Sequence, residues 1–234
     1  MSASVDHDSD VRGDASRHPS GVLENLPVPN EDLLSPPDAM DEASLIAAAQ
    51  QGKVDAFNEL VLAYQQQAYN LAYRILGDPA SAADATQEAF ISAFQHIAGF
   101  RGGSFKSYLM RIVSNGCYDE LRRRKRRPTM SFEDFGEVDE DANPALTNGR
   151  EGPEEYAERQ EMAHVIQAGI ETLPPDQRIT LVLSDVQGLS YQEIAEATDV
   201  SLGTVKSRLA RARGKLRDHL RSQGELLPAR YRLE

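Results

Sequence analysis

"GLSYQEIAEATDVSLGTVKSRLARARGKL", residues 188–216, carries two helical patterns with a turn between them. Ser190 and Glu193 have the spacing of a capping box, in which each side chain satisfies an orphan backbone N–H, so a helix is predicted to start near Tyr191. Ser201 with Thr204 supplies a second polar helix start. Ala195 is small where two helices cross, and Asp199 and Val200 form the turn. Val205, Leu209, Ala212 and Leu216 then repeat at the spacing of a buried helical face. This is the pattern of a helix-turn-helix. The second helix also carries Lys206, Ser207, Arg208, Arg211, Arg213 and Lys215, read here as its exposed face. That face suits a recognition helix whose first turn meets base edges while later cations meet phosphates. A solvated basic face on an ordinary helical hairpin has the same composition.

Upstream of this motif the patterned blocks read as helix, with no convincing strand pattern. A helix through Val165, Ile166 and Ile170 breaks at Leu173-Pro174-Pro175, and another follows through Ile179, Leu181, Val182 and Leu183. Further back, Leu45, Ile46 and Ala49 start a first helix. Phe57, Leu60, Val61, Tyr64, Ala68, Leu71, Ala72, Ile75 and Leu76 mark a long apolar stripe that Gly77, Asp78 and Pro79 end. A third helix is expected from Ala80 to Ile97 with Phe90, Ile91 and Phe94 buried, and a fourth from Phe105 to Leu121, ending in a run of cations. The expected fold is all-α: two small helical domains joined by a flexible acidic linker.

The expected boundaries are a disordered acidic tail over 1–41, a first domain over 42–127, the linker over 128–157, a helix-turn-helix domain over 158–222 and a terminal tail over 223–234. Charge follows this division. The net charge is −12, but residues 1–42 hold ten acids against two bases and residues 128–162 hold eleven against two, which leaves the two helical blocks net positive. A linker of this length reaches about 100 Å when extended at about 3.3 Å per residue, so the blocks need not touch.

No run of about 18 apolar residues and no basic-then-apolar leader is found, so a cytoplasmic protein is expected. Cys117 is the only cysteine, and His7, His18, His96, His164 and His219 are scattered. No metal, no cofactor and no catalytic group is therefore expected, and the chain is not read as an enzyme.

The stretches "DATQEAFISAFQHIAGFRG" and "SFKSYLMRIVSNGCYDELRRRKRRP" in the first block, with "LPPDQRITLVLSDVQGLSYQEIAEATDVSLGTVKSRLARARGKL" in the second, resemble the extracytoplasmic function group of bacterial sigma factors, the smallest members of the sigma-70 family. The resemblance covers residues 42–127 and 158–220, in order. It implies an RNA polymerase sigma factor that binds core RNA polymerase and directs promoter recognition, −10 strand capture and transcription initiation. The alternative is a helix-turn-helix response regulator or repressor acting without core polymerase; against the former, residues 42–127 lack the α/β pattern of a receiver domain.

The same resemblance implies partners: the β′ coiled coil and the β flap of core RNA polymerase, promoter DNA, and an anti-sigma factor. Asp84, Gln87 and Glu88 would dock on polymerase, although by themselves they read more readily as a solvated acidic face. Gly102 and Gly103 free a loop in which Arg101, Lys106 and Arg111 alternate with aromatics, a composition that suits single-stranded DNA. By resemblance this loop and the next helix read the −10 element through Arg101, Lys106, Tyr108, Arg111, Asn115, Asp119, Arg122 and Arg123. Tyr108 stands where the family commonly has Trp. Ser201, Thr204, Lys206, Ser207, Arg208, Arg211 and Arg213 are the expected contacts to the −35 element.

Overall fold

A computed structural model describes residues 39–126 and 152–223. Residues 1–38 of the acidic tail, most of the expected linker and almost all of the terminal tail lie outside the described residues, and α1 starts at Ala39, inside the expected tail. Within them every regular element is helical.

The first half is built on α2 (Val54–Leu76), packed between α1 (Ala39–Gln50), α3 (Pro79–His96) and α4 (Phe105–Arg126). Its apolar stripe works as read: Leu60, Ala68, Leu71, Ala72 and Ile75 are fully buried. The helix stops at Gly77, whose φ of 82° is the left-handed conformation glycine adopts without a Cβ penalty, and whose N–H reaches the Tyr73 carbonyl at 2.9 Å. Asp78 then caps α3 by accepting from the Ser81 N–H at 2.8 Å, with Pro79 in the first turn where no N–H is needed. Gln50 ties α1 to the turn Ile97–Gly99 by donating to the Phe100 carbonyl at 2.7 Å.

One expectation for α3 is corrected. Ile91 is 51% exposed, whereas the buried face is formed by Ala82, Ala89, Phe90 and Ala93. Small alanines let α3 approach α2 closely, so the bulky residue next to Phe90 is turned about 100° away from the contact.

In the second half, α5 (Pro153–Glu171) begins inside the stretch read as linker. α6 (Pro175–Leu181) runs on into a widened helical turn over Val182–Val186, and α7 (Tyr191–Thr198) and α8 (Leu202–Ser222) complete it. Val182, Leu183, Ile194, Val205 and Ala212 are fully buried at its centre.

The two halves touch. α5, α6 and the widened turn lie against α2, and α6 and α7 lie against α4. This seam is polar. Arg74 Nη1 donates to Gln167 Oε1 at 3.1 Å, and Arg178 Nη1 donates to the Ile75 carbonyl at 2.6 Å. Arg178 also donates to the carbonyls of Glu171 and Leu173, so one guanidinium serves the C-terminal ends of α2 and α5 together. Cations are favoured there, where carbonyls lack helical partners. Burial pushes Arg74 and Arg178 below the usual guanidinium range. Glu171 presses so close to Gly77 that a Cβ there would meet its carboxylate at 2.5 Å.

Candidate nucleic-acid interface

The helix-turn-helix is α7 and α8. Its capping box is formed: Glu193 N donates to Ser190 Oγ at 3.3 Å, and Ser190 N donates to Glu193 Oε2 at 2.9 Å. Asp199 takes the left-handed conformation (φ 52°) at the turn, which Asp tolerates better than most residues, and Val200 N–H returns to the Ala195 carbonyl at 3.1 Å. Ser201 caps α8 by accepting from Thr204 N–H at 3.2 Å. Ile194, Ala195, Val205 and Leu209 are buried between and beneath the two helices.

On α8, Ser201, Lys206, Ser207 and Arg211 are exposed, and Thr204 is half-buried against Ser201. Leu202, 40% exposed, adds an apolar side chain at the head of this face that no charge pattern signalled. Arg208 and Arg213 depart from the expected exposed face. Arg208 pairs with Asp176 at 3.2 Å, and Arg213 forms a two-pronged pair with Asp185 at 2.5 and 2.9 Å. Residue 213 lies about 200° around the helix from Arg211 and so meets the end of the widened turn. The Asp185 hydrogen bonds and charge push the Arg213 guanidinium above its usual range despite burial.

In the first half, Asp84, Gln87 and Glu88 are all exposed on α3. Ile91 continues that face at the i, i+4, i+7 spacing from Asp84 and Glu88, so an apolar side chain stands among the acids. On α4, Arg111, Asn115, Asp119 and Arg122 are exposed at successive turns of one face. Tyr118 belongs to the same face, 37% exposed with the Arg122 guanidinium 5.8 Å from its ring centroid. Its i+3 position from Asn115 was the available sequence signal. Arg123 pairs with Glu120. Arg124 is turned inward: it donates to Glu120, Asp78, Ser81 and the Leu76 carbonyl, clamping the α2–α3 corner. The cation run is thus partly structural.

The loop before α4 shows a further division. Arg101 is exposed, flanked by Gly102 (φ 94°) and Gly103 (φ 93°). Tyr108 is half-buried in an aromatic group, its ring 5.1 Å from Phe100 and 5.9 Å from Phe105. Lys106 lies in the seam, donating to the Gln187 carbonyl at 2.8 Å, and burial pushes its ammonium below the usual lysine range with Glu193 opposing the shift.

Among the described residues no helix is long and apolar enough to cross a membrane. Residues 60–127 match the family model Sigma-70 region 2, and residues 163–216 match Sigma-70, region 4. The chain is 38% identical over 176 residues to the ECF RNA polymerase sigma factor SigE of Mycolicibacterium smegmatis, covering 74% of this chain and 65% of that relative. It is 35% identical over 179 residues to the ECF RNA polymerase sigma-E factor of Escherichia coli, covering 75% of this chain and 92% of that one. Its fold is shared with the sigma factor RpoE of Bartonella quintana, solved in complex with the anti-sigma factor NepR, at a TM-score of 0.51 and 22% identity over 70% of this chain and 96% of the other. The chain therefore belongs to the sigma-70 family of DNA-binding transcription factors, in the group of the ECF RNA polymerase sigma factors.

Proposed function

We infer that the chain is a promoter-specificity subunit, which binds core RNA polymerase, selects a promoter and starts transcription there. The observation that carries this reading is that both sigma-70 regions occur in one chain in family order. A helix-turn-helix alone serves repressors and response regulators equally well. The region 2 match removes that equivalence, because a regulator acting without polymerase has no use for it.

The exposed α3 face of Asp84, Gln87 and Glu88, with Ile91 as an apolar anchor, takes the β′ coiled coil. Acids around one apolar side chain fit a basic amphipathic partner helix. The loop and α4 capture the melted −10 strand: Arg101, Arg122 and Arg123 meet phosphates, Arg111, Asn115 and Asp119 form the reading face, and Tyr108 and Tyr118 offer rings for stacking. Lys106 joins them once the seam is free. α8 enters the major groove at the −35 element with Ser201, Thr204, Lys206, Ser207, Arg208 and Arg211 in contact, while Arg213 orients the helix through Asp185. The second domain also meets the β flap, and the acidic linker over 128–157 spans the elements without touching DNA. Polymerase supplies the chemistry, and the chain itself has no catalytic role. An anti-sigma factor is the expected antagonist, supported by the solved relative bound to one.

The residue assignment is tested with full-length variants and core polymerase. Replacing Asp84, Gln87 and Glu88 together by Ala should weaken core binding at least tenfold. Asn115→Ala should leave core binding intact and slow promoter opening. Core binding unchanged in the triple variant would remove the α3 assignment.

A further inference from the structure

We propose that Leu202 reads the C5-methyl group of one thymine in the major groove, and that Gly203 beside it lets the neighbouring base pair approach the helix backbone. This deepens the reading of α8 as the −35 helix and rests on it. Gly203, Ser207 and Arg211 are exposed one turn apart along the crest of α8, and Lys206 is exposed on its flank. Leu202 stands one turn before Lys206 on that flank, 40% exposed. Among the described residues it is the only large hydrophobic exposed on α7 or α8. The inner face of α8 is already closed by Val205, Leu209 and Ala212, all buried.

The head of α8 also gives up stability that its neighbours keep. Glycine weakens a helix relative to alanine, yet the φ of Gly203 is not left-handed, and among the described residues a Cβ there would meet only Ser201 Oγ, at an ordinary 3.8 Å. The first turn of α8 holds no acid, where a helix favours one, whereas α7 has Glu193 in its first turn. A methyl on the crest would obstruct a base pair by bulk, and a carboxylate at the head would repel DNA by charge. Docking of a helix-turn-helix brings the first residues of its second helix to the base edges. The apolar group on those edges is the thymine C5-methyl, which an apolar side chain reads and which serine, lysine and arginine do not. Thr204 carries a methyl of its own, but it is half-buried, with its hydroxyl sharing a hydrogen bond with Ser201 Oγ at 2.9 Å. Leu202 is the side chain left to read it.

The test uses the full chain in complex with core RNA polymerase. Duplexes are selected from a pool randomised over the −35 element, and each thymine of the selected element is replaced in turn by deoxyuridine, which lacks only the methyl group. At one thymine the wild type should bind about fourfold more weakly after replacement, the effect of one methyl group no longer buried. Leu202→Ala should bind the thymine and deoxyuridine duplexes equally at that position, with the circular dichroism of the wild type. Gly203→Ala should melt no lower than the wild type yet bind every selected duplex more weakly. A selected element that specifies no A·T pair, a wild type indifferent to every replacement, a methyl effect that survives in L202A, or a G203A chain that binds as well as the wild type would overturn the proposal. Should no complex with core polymerase form, the replacements are made in duplexes selected by the chain alone. A methyl effect abolished by L202A there would uphold the role of the leucine and count against the sigma reading.

Discussion

The interior of each half is filled by leucine, isoleucine and alanine, whereas the side-chain hydrogen bonds between the halves are made by arginine, glutamine, lysine and serine. Leu60, Leu71 and Ile75 in the first half, and Leu183, Ile194 and Leu209 in the second, are at or near complete burial. Between them stand Arg74 against Gln167, Arg178 against the Ile75 carbonyl and Ser107 against Glu193. The difference separates two tasks. The buried apolar residues of both halves belong to one continuous cluster, and the polar bonds across the seam tie its two parts together.

The comparison breaks most directly at the core. Leu71→Ala, at a fully buried position in α2, should cost about 2–5 kcal/mol in chemical denaturation through lost burial and an unfilled cavity. Arg178→Met should cost less, about 1–3 kcal/mol, because it strips a donor from three carbonyls at the seam while leaving the apolar interior packed. If the arginine change proved the more damaging, the seam would hold the molecule more firmly than its apolar interior. Two of the arginines of α8 sharpen the comparison on the DNA side. Arg211→Ala should reduce the slope of log affinity against log salt by about 0.9, the signature of one lost phosphate contact. Arg213→Ala should leave the slope unchanged and lower thermal stability, because that guanidinium is spent on Asp185. The smallest expected effect is on Cys117, whose thiol burial pushes up to about 12. It should resist maleimide at pH 7 in the folded chain and react once the first half is unfolded by denaturant.

Local patterns were legible where one segment contains its own cause. The capping box at Ser190 and Glu193, the stop at Gly77 and the helix-turn-helix crossing at Ala195 follow from short-range chemistry, and the structure has all three. Bulk does not signal burial on α3: Ile91 is exposed, and the buried contact is made largely by alanines whose smallness permits close approach. Nor does charge signal DNA contact at Arg213: a basic helix invites assigning every cation to DNA, and the partner that claims this one, Asp185, lies 28 residues away. The seam was not legible. Glu193 satisfies its capping role completely within four residues, and nothing in that spacing announces that its second oxygen is taken by Ser107.

The most direct measurement is reconstitution. Purified chain mixed with core RNA polymerase should elute as a stoichiometric complex on gel filtration, and that complex should start transcription from a subset of a promoter pool only when the chain is present. A chain that bound duplex DNA through α8 yet never entered a complex with polymerase would contradict the promoter-specificity role and leave a helix-turn-helix regulator in its place.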